Sequence, residues 1–399
     1  MKKRIAIVGR GTVGCLTVAH YLRYTDWDIL WIYDPSIEPA PVGEGTTLIF
    51  PTNLASTLNF NSVDMDRMNS TPKLGIWKRN WGTGNEYVHT FFLGDYALHF
   101  NAVQFQDYVF ERLRKNPRVQ TLENFVGDVD SIDSDYVMVC TGSPKDLSSF
   151  DVHHSIPVNS ALVMQCPWDH PKFFYSLTFA KKFGWVFGIP LKNRCAIGYV
   201  FNKDFCNDID AENDVMDVLK EFDLVPATRR KLRFDNYSRK VNFSDRVCYN
   251  GNASFFLEPL EATSTTHAVF VNQLSLALWN SKEISLDEAN WRYKQHIREI
   301  ETMIMLHYFS GSVYDNDFWK HAKHLAQEHI HRCFQEKNIS YHALKEAINS
   351  KNFYDTFNFD HKSRSSLYNN DVGTWPLSSY VQNIDNLGVR QTLQSMLDA

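Results

Sequence analysis

The run Gly9-Arg10-Gly11-Thr12-Val13-Gly14 limits what this chain can fold into more than any other feature. Lys3 to Gly9 reads as a buried strand, the glycines open an apolar helix through Tyr24, and Asp28 to Asp34 reads as a second strand. This is the opening of a βαβ unit. Its G-x-G-x-x-G spacing has mechanical reasons. The first glycine permits a tight turn, and the second lets backbone, with Thr12 and Val13, approach a pyrophosphate. The third allows close helix–strand packing, and the helix N-terminus attracts negative charge. Asp34, at the end of the second strand, is placed to accept from ribose hydroxyls. A glycine turn without a ligand is the plainer alternative, and the βαβ setting favours the dinucleotide.

Further along, Tyr136 to Cys140 reads as a short strand ending at Thr141-Gly142, and Gly251-Asn252-Ala253 puts another glycine at a strand end. Between Ser155 and Val247 alternating segments dominate: Ile156–Gln165, Phe173–Thr178, Trp185–Pro190, Cys195–Val200 and Leu232–Arg239. They read as an antiparallel sheet, with a helix near Ala211 to Glu221 inserted. From His267 onward the period is helical, with long segments at His267–Trp279 and Leu286–Tyr308. The expected fold is α/β. A discontinuous Rossmann-like domain (1–150 and about 245–280) carries an antiparallel β-sheet insertion (151–245) and a mostly helical substrate region (281–399). One fingerprint with later glycine-bearing strand ends resembles FAD-binding monooxygenases more than nicotinamide enzymes. No second fingerprint exists for a nicotinamide, so reduced flavin is expected from elsewhere.

Composition narrows the function classes. A length of 399 residues exceeds one typical core. A net charge of −5 without a basic tract argues against nucleic acid. The seven cysteines are scattered, with no C-x-x-C, which suits a reducing cytoplasm. Met1-Lys2-Lys3-Arg4 before apolar residues mimics a signal peptide, but Arg10 and the glycines interrupt the run. No apolar stretch reaches about 18 residues, so no membrane span is expected. His321, His324, His329, His331 and Cys333 lack ligand spacing and are read as a wet helix face, not a metal site.

Several motifs together resemble the flavin-dependent halogenases, in particular the tryptophan-halogenase-like group. They are the fingerprint, Val42-Gly43-Glu44-Gly45-Thr46, Ser70-Thr71-Pro72-Lys73-Leu74-Gly75-Ile76 and Tyr87-Val88-His89-Thr90-Phe91. Gly184-Trp185-Val186-Phe187-Gly188-Ile189-Pro190, Glu258-Pro259-Leu260-Glu261-Ala262-Thr263, His307-Tyr308-Phe309 and Asp317-Phe318-Trp319 continue the match. The family's W-x-W-x-I-P appears with phenylalanine second. At this length the chain is similar to compact members such as those encoded by phages.

The resemblance implies FAD, used as FADH2 with O2 and a halide ion, and a separate flavin reductase. It implies hypohalous acid relayed to Lys73, with Glu261 orienting the halogenating species and taking the ring proton. Gly43, Glu44, Gly45, Thr46, Gly142, Trp185, Gly251 and Leu260 would join the fingerprint and Asp34 at FAD. The halide would sit near Thr263 and Ser264. Trp185 and Phe187 would screen an aromatic small-molecule substrate from the flavin, and His89, Phe91, Phe187, Tyr354 and Phe357 would contact it. Two departures stand out. In Phe353 to Ser365 the family's closing aromatic pair is replaced by Arg364 and Ser365. Losing one flat wall weakens stacking by about 1 kcal/mol, so an open site for electron-rich aromatics other than free tryptophan is expected. The usual Gly-Asp near the flavin is Gly251-Asn252, which implies lower flavin affinity. A single-component FAD hydroxylase and a non-catalytic flavin-binding protein remain open alternatives, as does a homo-oligomer.

Overall fold

The structure, a computed structural model, describes residues 2–38, 41–84, 86–91, 95–350 and 375–399. In chain order the strands begin with β1 (Arg4–Val8), β2 (Asp28–Tyr33), β3 (Thr71–Lys73), β4 (Gly75–Arg79), β5 (Tyr87–Thr90) and β6 (Ala97–His99). Next come β7 (Val119–Glu123), β8 (Tyr136–Val139), β9 (Phe150–Val152), β10 (Ser160–Pro167), β11 (Ser176–Lys181) and β12 (Gly184–Pro190). β13 (Arg194–Phe201), β14 (Thr228–Arg233), β15 (Tyr237–Arg239), β16 (Val247–Tyr249) and β17 (Phe255–Phe256) follow. The helices are α1 (Thr12–Tyr24), α2 (Ile49–Leu58), α3 (Ser62–Arg67), α4 (Ala102–Leu113), α5 (Asp208–Glu221) and α6 (Ser264–Leu276). They continue with α7 (Leu286–Ser310), α8 (Asp317–Glu336), α9 (Ile339–Asn349), α10 (Leu377–Asn386) and α11 (Arg390–Asp398).

Two compact units divide the chain. One holds Met1–Lys73, Tyr96–Val152 and Asn236–Tyr293; the other holds Leu74–Asp95, His153–Asp235 and Lys294–Ala399. The second unit therefore groups the large sheet with the C-terminal helices, which the sequence reading treats separately.

In the first unit a five-stranded sheet runs β16-β8-β1-β2-β7, with every pair parallel. Ile5, Ala6, Ile7, Ile29, Trp31, Val137 and Met138 are buried. These near-continuous apolar runs are what a sheet covered on both faces demands. β3 and β6 form a separate antiparallel pair, and β17-β15-β9 a small antiparallel sheet.

The second unit is built on a seven-stranded sheet, β14-β10-β13-β12-β11-β4-β5. It differs from expectation in two ways. β4 pairs with β11 in parallel, so the sheet is mixed. The expected strand Leu232–Arg239 is two strands in different sheets, because Asp235-Asn236 breaks it and the Asn236 side chain accepts from Glu258 N (2.9 Å). One face of the large sheet, with Leu162, Met164, Leu177, Phe179, Val186, Ile197 and Tyr199, forms a core with Ala211, Val215, Val218 and Leu219 of α5. Asn207 caps that helix, accepting from Ile209 N and Asp210 N, which meets the need of its first-turn donors.

A buried carboxylate ties three segments of this unit. Glu301 on α7 lies 3.1 Å from His153 Nδ1 and 3.6 Å from His329 Nδ1 on α8, and it accepts from Ser155 Oγ. Burial pushes the Glu301 carboxyl up. The His153 hydrogen bond, the charges of His329 and His153, and the Ser155 hydroxyl outweigh burial and hold it at about 2. The folded pKa lies below the unfolded one. The stability it contributes is thus present above the ordinary value of 4.5 and lost as pH falls through about 2. Urea midpoints of Glu301→Gln and wild type are expected to differ at pH 6 and converge as pH falls toward 2.

Candidate active site

The fingerprint turn is shaped by contacts that admit no side chain. Gly9 has φ +116, and a Cβ there would lie 2.4 Å from Cys140 O; one on Gly14 would lie 2.1 Å from Gly9 O. Gly9 N donates to Ile32 O (2.8 Å), Cys140 N to Val8 O (2.7 Å), and Trp31 Nε1 to Gly9 O (2.8 Å). Gly11 differs: a Cβ there would meet open space. It is also the N-cap of α1, and no side chain caps that end. The first-turn N–H groups of α1 therefore face an open cradle, which fits a pyrophosphate. Thr12 Oγ1 takes a hydrogen bond from Gln106 Nε2 of α4 (3.1 Å). Gly251 (φ +59) packs on Val13, with room for no Cβ. Positions 43 and 142 border open space like Gly11. Asp34 follows β2, and its Oδ1 accepts from Ser36 N (2.9 Å) and Ser36 Oγ (2.6 Å). These residues fit FAD.

Lys73 ends β3 and is buried, 2% exposed, with its Nζ donating to Thr46 O at 2.8 Å. The Val42–Thr46 motif is what holds that carbonyl. Thr46 Oγ1 and the Leu98 backbone exchange hydrogen bonds (2.7 and 2.9 Å), Gly45 bridges His99, and Glu44 O accepts from Phe100 N (3.0 Å). Glu44 is buried, and its carboxylate accepts from Ala102 N at the start of α4 (3.2 Å). His99 sits beside this amine. Burial, then the Lys73 charge, holds its imidazole well below the ordinary value.

One residue on, Thr47 Oγ1 meets Thr266 Oγ1 of α6 at 2.5 Å. The same short segment thus anchors Lys73 on one side and the start of α6 on the other. The loop entering α6 carries Glu261, buried at 8% exposure, and Leu260, fully buried. Glu261 (φ 73) and Ala262 (φ 54) are consecutive non-glycine residues in the left-handed region. Such strain, of order 1–3 kcal/mol each, persists where the surroundings over-determine it, commonly at functional sites. Thr263 is the N-cap of α6 without a side-chain cap bond, and Ser264 begins the helix. Thr265, 3% exposed, has a hydroxyl without a hydrogen-bond partner among the described residues. An uncapped helix start with an orphan hydroxyl suits an anion.

In the second unit Trp185 and Phe187 share the β12 face opposite the α5 core, ring centroids 6.1 Å apart. Trp185 is buried and Phe187 half-buried. Phe187 lies across Gly198 of β13, where a Cβ would fall 2.0 Å from its ring. His89 on β5 is buried; its Nε2 lies 3.2 Å from Ser379 Oγ and its Nδ1 3.4 Å from Asn383 Oδ1, both on α10. Phe91 follows β5, half-buried. Tyr354 and Phe357, with the Phe353 to Ser365 departure, lie outside the described residues.

Sequence reasoning passed over Lys78. Its Nζ is buried against His307 Nε2 (2.5 Å) and Asn383 Oδ1 (2.9 Å). His307 Nδ1 lies 2.9 Å from Met303 O, which fixes Nδ1 as donor and Nε2 as acceptor for the amine. The His307-Tyr308 and Phe318-Trp319 motifs pack around Trp81, whose ring lies 5.5 Å from those of His307 and Trp319. The wet face expected for α8 holds for His321, His324 and His331. It fails for His329 and Cys333, which are buried.

Taken together, the first unit is a Rossmann-like dinucleotide fold that also carries a buried lysine and a strained carboxylate loop. A model of the Tryptophan halogenase family matches residues 4–141 and 127–383, and the chain belongs to that family. The 7-chloro-L-tryptophan 6-halogenase KtzR of Kutzneria sp. (strain 744) is 28% identical over 182 residues, 42% of this chain and 34% of the relative. The chain thus matches about a third of the length of its curated halogenase relatives. An uncharacterized protein, y4xG, of Sinorhizobium fredii is 22% identical across 87% of this chain and 86% of its own. Among solved structures, the tryptophan halogenase of Shewanella frigidimarina NCIMB 400 superposes with TM-score 0.77 at 18% identity, covering 100% of this chain and 93% of that one. BrvH, a flavin-dependent halogenase from Brevundimonas sp. BAL3, gives 0.77 at 18%, covering 100% and 95%. These likenesses establish the fold. Among the described residues no helix is long and apolar enough to cross a membrane.

Proposed function

We propose that this protein halogenates an electron-rich aromatic small molecule, using FADH2 from a separate reductase, O2 and a halide. The observation that carries this reading is Lys73: a buried amine aimed at the Thr46 carbonyl, on the segment that also anchors the α6 loop bearing Glu261. A lysine with no task stays in water.

The fingerprint glycines, with Gly43, Gly142 and Gly251, would hold FAD. Reduced flavin and dioxygen supply the two-electron oxidation that makes hypohalous acid from halide. The uncapped start of α6 at Thr263 and Ser264 would bind the halide through backbone N–H groups. Lys73 presents the halogen, by hydrogen bond or as a haloamine. The arene's electron pair attacks the halogen, its bond to oxygen or nitrogen breaks, and Glu261 takes the ring proton.

The test supplies purified protein with chemically reduced FAD, oxygen, bromide, and a panel of activated phenols, indoles and free tryptophan. Bromoarenes from phenols or simple indoles, in excess over bromotryptophan, are expected. Hydroxylated products driven by NADPH alone would identify a single-component hydroxylase instead. No product from any arene would leave a flavin-binding protein without turnover.

A further inference from the structure

One buried polar chain in the second unit has no part in halogenation. Glu301 faces His329 Nδ1 (3.6 Å), His329 Nε2 meets Thr302 Oγ1 (2.9 Å), and Thr302 Oγ1 lies 3.5 Å from Cys333 Sγ. His329 and Cys333 are four apart on α8, so they share one helix face, opposite Glu301 and Thr302 of α7. A cysteine buried only for packing would have apolar neighbours. This one has beside it the Thr302 hydroxyl, which donates to Arg298 O (2.8 Å), and an imidazole that shares that hydroxyl and faces a carboxylate: an acid-oriented imidazole close to a thiol, the set of groups that activates sulfur nucleophiles.

The electrostatics agree from both sides of the pair. For Cys333, burial pushes the thiol up, but the His329 hydrogen bond and charge, with Thr302 and Asn338, pull it below the ordinary value. For His329, burial pulls down, and Cys333 and Glu301 together raise it above the ordinary value. Five of the other cysteines contrast. Burial drives Cys140 and Cys206 to about 12 and Cys166 to about 11, and pushes Cys15 and Cys248 up as well. Among the described residues no group of three or more His, Cys, Asp and Glu side chains is arranged to hold a metal, so a metal does not account for the cluster.

We propose that Cys333 is an oxidant-reactive thiol, a modification site for hydrogen peroxide activated by the Glu301–His329–Thr302 chain. The sulfur attacks one peroxide oxygen, an S–O bond forms and the O–O bond breaks. Hydroxide leaves and becomes water with the His329 proton, while sulfur gives up two electrons and ends as sulfenic acid. Cys333 is buried, at 3% exposure, and hydrogen peroxide is a small, uncharged oxidant. Site and chemistry stand apart from the halogenase reading, since both lie in residues that reading leaves unused.

The test is a time course of the full chain in hydrogen peroxide, followed by denaturing alkylation and peptide mass spectrometry of all seven cysteines. Cys333 is expected to lose alkylation about tenfold faster than any other cysteine. Glu301→Gln is expected to slow Cys333 by about tenfold and leave the remaining six unchanged. Cys333 oxidising no faster than the rest overturns the proposal. So does a Cys333 rate that rises with urea in step with unfolding, or a Glu301→Gln variant in which all seven cysteines oxidise faster.

Discussion

Gly14→Ala is expected to cost about 1–3 kcal/mol of stability and to abolish measurable FAD binding, whereas Gly11→Ala should melt like wild type. The two glycines stand three residues apart and face opposite surroundings. A methyl on Gly14 would lie 2.1 Å from Gly9 O, so α1 must move off β1, or the turn must open. Either shift displaces the N–H groups that would meet a pyrophosphate. A methyl on Gly11 meets nothing of the protein but projects into the cradle. Its effect belongs to the cofactor alone: FAD affinity about tenfold or more weaker, near 1.4 kcal/mol, with an unchanged melting temperature. Flavin fluorescence titration beside thermal unfolding separates these outcomes. Equal FAD affinity in Gly11→Ala and wild type would remove the cofactor from this turn.

The second large effect is expected from the buried amine and the strained carboxylate. Lys73→Ala should lower bromoarene formation on the order of 10²–10³-fold, the loss typical when one positioned donor leaves a reaction site. Glu261→Gln keeps shape and hydrogen bonding yet cannot take the ring proton, and about 10²-fold is expected. Neither side chain belongs to the glycine turns, so FAD affinity should be retained in both variants. Glu261→Gln also tests the backbone: if its left-handed φ serves only the loop's path, the variant will keep full bromination.

The first βαβ turn was legible because glycine spacing and apolar runs are local signals, and α1 and β2 lie where those signals put them. The Trp185 strand was legible for the same reason. Other features depend on partners far along the chain. Nothing in Gly75–Arg79 announces a parallel partner at Ser176–Lys181. The strand break at Asp235-Asn236 depends on an asparagine reaching Glu258 N, 22 residues away. The left-handed pair Glu261-Ala262 contains neither glycine nor asparagine, so no residue type marks it. Lys78 looks like any solvated lysine until α7 and α10 bring His307 and Asn383 to it. His329 and Cys333 sit among exposed histidines, and only the helix phase against α7 turns them inward.

The most direct measurement follows two quantities in one vessel, oxidation of added FADH2 and formation of bromoarene, for wild type and Lys73→Ala. The account predicts equal flavin oxidation in both, with bromoarene lost from the variant. Bromoarene persisting at the wild-type yield without Lys73 would contradict it.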